Sequence, residues 1–377
     1  MSQRQRLHDS QRWVVKVGSA LITDNGQGLD LAMLDALAAE ICAIRNKGID
    51  VVVVSSGAVA AGMEQLHWQN RPTALSNLQA AAAVGQARLI RAWEQVFQRF
   101  GAQSAQVLLT HADHSNRQRY LNARATLNAL LEHGIAPVVN ENDTVITDEI
   151  RFGDNDTLGA LVTNLIDADA LILLTDQDGL FTADPRKVPG ATLIKEARAH
   201  DKALDAMAGD GSGQLGRGGM QTKLRAGRLA ASSGAVTVIA HGKTPNILSR
   251  LYQQEETGTL LLPDQEKITA RKQWLQGHLR TLGVLVLDNG AVHVLTDKGS
   301  SLLPVGVVSV EGTFQRGEMV TCRDLSGKEV ARGMVNYSDG EARKIIGKPS
   351  SAICASLGYE GEEELIHRDN MVLAEDY

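Results

Sequence analysis

A basic excess, paired cysteines and long apolar runs are all missing from this chain of 377 residues. The formal net charge is −6 at pH 7, so no overall positive field would attract nucleic acid. The three cysteines, Cys42, Cys322 and Cys354, lie far apart in sequence and form no Cys-x-x-Cys pair. Their spacing argues against a disulfide framework or a zinc site, and it fits a reducing compartment.

Signals for a membrane or for export are also lacking. No apolar run approaches the ~18 residues that a membrane-spanning helix needs. Residues 1–11 form a polar N-terminal extension without the apolar segment of a signal peptide. We therefore expect a cytoplasmic protein that has no membrane contact.

The composition is that of an ordinary soluble globular protein, with 43% hydrophobic and 22% charged residues, and the length favours two domains. Between residues 12 and 263, β-branched apolar runs that predict buried strands alternate with longer stretches that predict helices. Such alternation implies βαβ units and a mostly parallel sheet. The predicted strands cover residues 12–17, 51–54, 105–110, 135–140, 170–176 and 235–240, and the predicted helices cover residues 31–46, 75–99, 116–133 and 222–232.

The pattern changes after a polar stretch at residues 264–277, which we interpret as a linker. In residues 278–377, short apolar runs are separated by Asp-Asn-Gly, Glu-Gly and Ser-Gly turns. This pattern predicts a small β-barrel-like domain, which carries an acidic tail. The domain contains 10 Lys and Arg residues against 15 Asp and Glu residues, so it has no basic excess.

Two clusters of amide and acidic side chains lie near the middle of the first domain. Residues 140–143 (Asn-Glu-Asn-Asp) follow a predicted buried strand, and residues 153–156 (Gly-Asp-Asn-Asp) precede an apolar helical run. Asn, Asp and Gly are also the residues that turns prefer, so turn chemistry would explain either cluster alone. Ligands of open α/β sheets bind beyond the carboxyl ends of the strands. Two such clusters therefore favour a site for a small zwitterion or a cation-bridged ligand.

Other strand ends carry small or polar residues as well. Lys16 closes the first strand beside a glycine, where it could meet a phosphate, although a solvated lysine at a strand end is the commoner case. Ser56 and Gly57 follow the second strand, and small residues there leave backbone N–H groups available to an anion. Thr175 and Asp176 end a later strand. Each position is a candidate because ligands bind at such strand ends.

Residues 209–223 are rich in glycine and lead into a predicted helix. They contain a Gly-x-Gly-x-x-Gly match, but no strand immediately precedes it, so the context of a Rossmann nucleotide site is missing. The segment is not a Walker A loop either, because Lys223 lies beyond Met-Gln-Thr. Phosphates could still meet a helix N-terminus and Lys223 together. A surface loop is an equal alternative on glycine content alone.

Taken in order, these features resemble the amino acid kinase family. The resemblance is carried by the two acid-amide clusters together with Lys16, Ser56-Gly57, Thr175-Asp176 and the Gly-Gly-Met-Gln-Thr-Lys run at residues 218–223. It implies a mostly parallel open sheet that is sandwiched by helices. Residues 300–306 are similar to part of a PUA domain, which implies that the C-terminal domain is of that type. The N-terminal extension and the acidic tail are the parts least similar to the family.

The resemblance implies a role for each matching residue. Lys16 and Lys223 would contact the phosphates and Asp156 would hold both lysines in place, because phosphoryl transfer needs its developing charge stabilised. The residues that would bind the amino acid are Ser56, Asp143, Asp154 and Asn155. The residues that would bind ATP are Lys16, Thr175, Asp176, Arg217, Gly218, Gly219, Met220, Gln221, Thr222 and Lys223, of which Arg217 departs from the family pattern.

The implied reaction is the ATP-dependent phosphorylation of the side-chain carboxylate of L-glutamate, the first step of proline biosynthesis. The attacking carboxylate has a pKa of ~4.3 and is ionised at neutral pH, so no general base is required. Mg²⁺ would bridge the β- and γ-phosphates of ATP, and since it usually keeps several waters, no protein ligand to the metal is assigned. The resemblance also implies inhibition by proline and a homo-oligomeric state.

Two alternatives stay open. The lysines do not distinguish glutamate from aspartate, N-acetylglutamate, carbamate or UMP as the acceptor, whereas the acid-amide clusters favour an acceptor with a free α-ammonium group. An RNA-binding protein is the other alternative, because PUA domains elsewhere bind RNA. A phosphate-binding surface needs clustered Lys and Arg, and the acidic balance of residues 278–377 argues against it.

Overall fold

A computed structural model describes residues 2–23, 28–110, 113, 116–145, 155–208, 219–264 and 281–374. The chain forms two compact units, one of residues 1–114 and 123–267 and the other of residues 115–122 and 268–377. Of the predicted linker, Asp264 is described, and residues 265–277 lie outside the described part.

In the described part of the chain, the first unit contains an eight-stranded sheet with the strand order β3-β4-β2-β1-β5-β7-β8-β6. Neighbouring strands are parallel, except that β7 and β8 run antiparallel. The mostly parallel sheet predicted from the alternation of strands and helices is therefore confirmed. The strands are β1 (Arg12–Val17), β2 (Asp50–Ser55), β3 (Ser104–Leu109), β4 (Ala136–Glu141), β5 (Ala170–Thr175), β6 (Glu196–Arg198), β7 (Val236–His241) and β8 (Thr259–Leu262).

The central strands are apolar along nearly their whole length because both faces of the sheet are covered. Residues 51–54 of β2 and residues 170–173 of β5 are all fully buried. Parallel sheets with helices on both faces have this continuous pattern, whereas a sheet with one solvated face alternates apolar and polar residues. The runs that predicted buried strands are therefore apolar at every position because both faces of these strands are buried.

The helices of the first unit cover the sheet with apolar stripes. In α3, the buried residues Leu34, Leu37, Ile41 and Ile44 recur at helical spacing, and the Asp30 side chain caps the helix by accepting from the Met33 N–H at 2.9 Å. No helix of the described residues is long and apolar enough to cross a membrane. The described helices that begin and end between residues 5 and 252 are α1 (Gln5–His8), α2 (Ser19–Ile22), α3 (Leu31–Arg45), α4 (Ala58–Gln65), α5 (Leu75–Arg99), α6 (Arg117–Glu132), α7 (Asn155–Leu165), α8 (Ala203–Ala208), α9 (Met220–Ala231) and α10 (Ile247–Tyr252). Of α6, residues 123–132 belong to the first unit.

The N-terminal extension packs against the first unit although its sequence is polar. Leu7 is fully buried, and Arg4 is 1% exposed. The Arg4 guanidinium donates to the backbone carbonyls of Lys195, Glu255, Thr257 and Gly258 at 2.9–3.2 Å. These four bonds satisfy the two terminal nitrogens, whereas Nε has no hydrogen-bond acceptor within the described part of the chain and lies 3.9 Å from Glu196 Oε1.

The second unit contains a separate five-stranded sheet in its described residues, with the strand order β10-β9-β11-β12-β13. Its core includes Leu285, Phe314 and Tyr337. Ser338 and Glu341 form a capping box at the start of α12. The elements are β9 (Gly283–Leu287), α11 (Asn289–Lys298), β10 (Val307–Gly312), β11 (Met319–Arg323), β12 (Glu329–Met334), α12 (Asp339–Ile345), α13 (Ile353–Leu357) and β13 (Met371–Leu373).

Helices α4 and α5 cross at a distance that only glycine permits. A Cβ atom on Gly85 would lie 1.9 Å from the carbonyl oxygen of Ala58, and one on Gly62 would lie 1.7 Å from the carbonyl oxygen of Ala81. Both obstacles are backbone atoms, so a larger side chain would push the two helices apart. This contact fixes α5 against α4, which begins directly after β2.

We expect Gly85→Ala to destabilise the protein by about 1–3 kcal/mol, the usual cost of overpacking a tight contact. The matched control is Gly340→Ala in α12, where a Cβ atom would meet nothing within 4 Å. That control should be neutral or stabilising by up to about 1 kcal/mol, because alanine favours helix more than glycine. Thermal unfolding followed by circular dichroism compares the two. An unchanged melting temperature for Gly85→Ala would contradict the close crossing.

Candidate functional site

The carboxyl ends of the central strands define the candidate site. From β1 the chain continues to β2 on one side, and β5 pairs with β1 on the other side, so the direction of strand addition reverses at β1. Ligands of open α/β sheets bind outside such a switch point. Polar residues lie at or near these ends: Lys16 on β1, Ser55 on β2, Asn140 and Glu141 on β4, and Thr175 on β5.

Two lysines share one carboxylate at this edge of the sheet. The Lys16 Nζ lies 2.6 Å from Asp156 Oδ1, and the Lys223 Nζ lies 3.1 Å from Asp156 Oδ2. All three side chains are buried, with Asp156 only 1% exposed. The cluster carries a net positive charge, since it contains two ammonium groups and one carboxylate. Such a cluster is suited to bind and stabilise a phosphate.

The two lysines keep Asp156 ionised in spite of its burial. Burial alone raises the pKa of this carboxyl group. The charges of Lys16 and Lys223, with hydrogen bonds from Lys16 and Thr222, outweigh that effect and hold the pKa well below its usual range. Asp156 is therefore a fixed negative charge, which orients both ammonium groups.

The start of α9 brings Lys223 to this cluster. Gly219 is the N-cap residue, so Thr222 and Lys223 lie in the first turn of a 12-residue helix. The Thr222 hydroxyl hydrogen-bonds Asp156 Oδ2 at 2.8 Å and also lies 2.8 Å from the Gly219 carbonyl oxygen. A helix N-terminus carries a partial positive charge, which adds to that of the lysines.

Helix α7 brings Asp156 to the same point. Its Gly159 lies directly over β1, because a Cβ atom there would be 3.4 Å from the Lys16 Cβ and 3.3 Å from a Leu171 methyl carbon. Asn155 and Asp156 are the first two residues of α7. Asp156 faces the lysines, whereas the Asn155 amide contacts residues that end β2 and β4.

The Asn155 amide donates hydrogen bonds to three acceptors at those strand ends. Its Nδ2 donates to the Ser55 carbonyl oxygen at 2.9 Å, to the Ser56 hydroxyl at 3.0 Å and to Asn140 Oδ1 at 3.1 Å. Asn140 is 2% exposed, and its Nδ2 donates to Gln86 Oε1 at 2.7 Å. Ser55, Ser56, Asn140 and Asn155 thus form an amide pocket. It adjoins the lysine cluster because Asn155 and Asp156 are consecutive residues of α7.

Asp143 follows the end of β4 by two residues. Burial raises its pKa to about 6, and the charge of Arg71 partly opposes that rise. Carboxylates with perturbed pKa values concentrate at functional sites. None of the contacts described above links Asp143 directly to Asn155.

The predicted nucleotide residues are placed in two groups. Thr175 is buried at the end of β5 and hydrogen-bonds the exposed Asp176 carboxylate at 3.1 Å. Met220 and Gln221 begin α9, and the Gln221 amide lies 3.4 Å from the Asp205 carbonyl oxygen of α8. Three predicted site residues lie outside the described residues, namely Asp154, Arg217 and Gly218.

Sequence reasoning passed over several residues that contact this site. Asn140 lies in the first acid-amide cluster, so its position after a buried strand was a usable signal. Gln86 and Trp93 lie inside α5, where the sequence pattern offers no reason to single them out. Trp93 is fully buried, and its Nε1 donates to the Ser55 hydroxyl at 2.9 Å.

Comparison with known proteins identifies the class. Residues 11–241 match the model of the amino acid kinase family, and residues 283–357 match the model of the PUA domain. The first match spans more than half of the chain and includes every site residue described above. This chain therefore belongs to the amino acid kinase family.

Several curated relatives that align with nearly the whole chain bear one name. A glutamate 5-kinase from Hahella chejuensis is 60% identical over 98% of this chain and 96% of its own length. Glutamate 5-kinases from Pseudomonas entomophila and Stutzerimonas stutzeri are 59% and 60% identical over 98% of this chain and their full length. A solved structure of UMP kinase from Bacillus anthracis gives a TM-score of 0.49 and 18% identity over 68% of this chain and 97% of that chain, too distant to bear on the acceptor.

We expect Asp156→Asn to lower the free energy of unfolding by roughly 3 kcal/mol, because it leaves two buried ammonium groups without a carboxylate. The matched control is the triple variant Lys16→Met, Asp156→Leu, Lys223→Met, which removes all three charges and should recover most of that loss. Urea unfolding can be followed through the buried Trp13 and Trp93. If Asp156→Asn unfolds like the unmodified protein, the carboxylate does not hold the cluster together.

Proposed function

We propose that this protein transfers the γ-phosphoryl group of ATP to the side-chain carboxylate of L-glutamate, producing L-glutamyl 5-phosphate for proline biosynthesis. The single observation that carries the proposal is the buried Lys16–Asp156–Lys223 cluster, which adjoins an amide pocket through consecutive residues of α7. The names of the curated relatives support the same acceptor.

In this mechanism the lysine cluster stabilises the group in transfer. The transferring phosphoryl group spreads its charge over three oxygens, and catalysis consists mainly of positioning and charge stabilisation. Lys16 would contact the phosphates from β1, and Lys223 would contact them from the N-terminus of α9. Asp156 holds the two ammonium groups at fixed positions, so little reorganisation is needed when the charge develops.

The acceptor would lie against the amide pocket. Its α-ammonium group is a donor, and it finds acceptors in the Asn155 Oδ1 and in the ionised Asp143 carboxylate. Ser56 would complete this subsite, together with Asp154, which precedes Asn155 in the sequence. The attacking carboxylate of glutamate has a pKa of ~4.3, so it is already ionised and needs no general base.

ATP would lie across the ends of β5 and α9. Thr175 and Asp176 would contact it on one side, and the segment from Arg217 and Gly218 to Lys223 would enclose its phosphates. Among the described residues, no group of three His, Cys, Asp or Glu side chains could hold a metal ion. Mg²⁺ usually keeps several waters, so it would be held mainly by phosphate oxygens and water, and it would neutralise phosphate charge.

The experiment is ADP release across a panel of acceptors in the presence of hydroxylamine, which traps an acyl phosphate as its hydroxamate. Glutamate should give both ADP and hydroxamate, whereas aspartate, N-acetylglutamate and UMP should give little of either. Lys223→Met serves as the catalytic control, and its kcat should fall by roughly 100-fold or more. Hydroxamate formation with another acceptor and none with glutamate would overturn the proposal.

An RNA-binding role is the weaker candidate. The PUA match is its support, but residues 278–377 contain more acidic than basic residues. Non-specific RNA binding depends on neutralising phosphates with Lys and Arg. Homo-oligomer formation, a cytoplasmic location and independent folding of residues 1–277 also stay predictions.

We expect the catalytic efficiency for glutamate to depend on Asp143. Because the pKa of Asp143 is about 6, this carboxyl group is ionised above that pH and becomes neutral below it. As the pH falls from 7.5 to 5.5, the pocket loses its attraction for the ammonium group, and kcat/KM for glutamate should fall. Asp143→Asn, which is neutral throughout, should show a lower and flatter profile. Parallel profiles for both proteins would exclude this role.

Proline is proposed as an inhibitor that overlaps the amino acid subsite. It carries an α-carboxylate and a cationic nitrogen like glutamate, but it lacks the carboxylate that attacks ATP. Raising the glutamate concentration should therefore increase the apparent inhibition constant for proline. Steady-state titrations of proline at several glutamate concentrations measure this. A constant value would indicate a separate site.

A further inference from the structure

Helix α5 reaches the amide pocket through two polar side chains on one face. Gln86 and Trp93 are seven residues apart, close to two helical turns, so both project from the same side of α5. Gln86 Oε1 accepts from Asn140 at 2.7 Å, and Trp93 Nε1 donates to the Ser55 hydroxyl at 2.9 Å. Asn140 Oδ1 and the Ser55 carbonyl oxygen are in turn two of the three acceptors of the Asn155 amide.

A backbone carbonyl sets the orientation of every amide in this chain of contacts. The Ser55 carbonyl oxygen can only accept, so the Asn155 amide must present its Nδ2 there. Asn140 must then present Oδ1 to that Nδ2, because two NH₂ groups would otherwise face each other. Consequently the Asn140 Nδ2 points to Gln86, which must offer an acceptor.

This order leaves one group of Asn155 for a ligand. Its two N–H groups are shared among three acceptors, and no partner for its Oδ1 is found among the described residues. We propose that Gln86 is a positioning residue that holds Asn140, an acceptor of the Asn155 amide, in place, so that Asn155 Oδ1 stays directed at the ammonium group of the amino acid. This inference rests on the proposed function.

Removing the Gln86 acceptor would remove the hydrogen bond that holds the Asn140 amide. In Gln86→Leu, the Asn140 Nδ2 loses its acceptor in a pocket where Asn140 is 2% exposed. An unsatisfied buried donor is unfavourable, so the Asn140 side chain would no longer be held in place, and the Asn155 amide would lose a fixed acceptor. The KM for glutamate should then rise about tenfold, the factor expected for one lost hydrogen bond, while the KM for ATP stays within about twofold.

Three variants in the full-length protein test this. Gln86→Leu removes the acceptor, whereas Gln86→Glu keeps an acceptor of similar shape and should restore a KM for glutamate close to that of the unmodified protein. Gln95→Leu makes the same change at an exposed position of α5 and should leave both KM values unchanged. If Gln86→Leu does not fold, Gln86→Met, which is unbranched and of similar length, replaces it.

The possible results distinguish a failure of this inference from a failure of the proposed function. A higher KM for glutamate in Gln86→Leu, with rescue by Gln86→Glu, supports the inference. An unchanged KM for glutamate, equal rises for glutamate and ATP, or no rescue by Gln86→Glu overturns it, because a merely structural role would not distinguish the substrates. If the unmodified protein forms no glutamyl hydroxamate, the proposed function itself fails, and the inference fails with it.

Discussion

The candidate site depends on one electrostatic constraint, the sharing of the Asp156 carboxylate by Lys16 and Lys223. Two ammonium groups that are buried close together repel each other, and burial removes the water that would screen them. Asp156 offsets this repulsion with contacts of 2.6 and 3.1 Å. It neutralises only one of the two charges. The remaining positive charge is held in place for a phosphate, and a rigid donor array of this kind favours phosphoryl transfer.

The N-terminus of α7 connects that constraint to the amide pocket. Successive residues of an α-helix project about 100° apart, so Asn155 and Asp156 face different neighbours from adjacent positions. Asp156 faces β1 and α9, and Asn155 faces the ends of β2 and β4. Because Gly159 lies against Lys16, α7 is held close to β1 and cannot shift one contact without shifting the other. The geometry of the phosphate subsite and that of the amino acid subsite are therefore coupled through one helical turn.

Much of the fold follows from local patterns. The apolar runs at residues 51–54 and 170–174 are too apolar for a half-exposed strand, and the structure buries both. The predicted helix at residues 75–99 coincides with α5, and the end of α3 lies within one residue of its predicted position. In each case the side chains that specify the element are within one or two turns of each other. The burial of Arg4 was not predicted, since its hydrogen-bond acceptors lie about 190–250 residues away along the chain.

The sequence by itself determined which residue types stand at the strand ends, because strand boundaries and polar clusters are local features. It therefore indicated Lys16, Asp143, Asn155, Asp156 and Lys223 as candidates, and the resemblance to the amino acid kinase family supplied their expected roles. Only the tertiary structure decided which of these side chains meet. Lys16 and Asp156 are 140 residues apart in sequence, and Gln86 and Asn140 are 54 apart. A hydrogen bond depends on distance and on which atom donates, and neither is encoded in a local pattern. Both are set by the order of strands in the sheet and by the close contacts of α7 and α5.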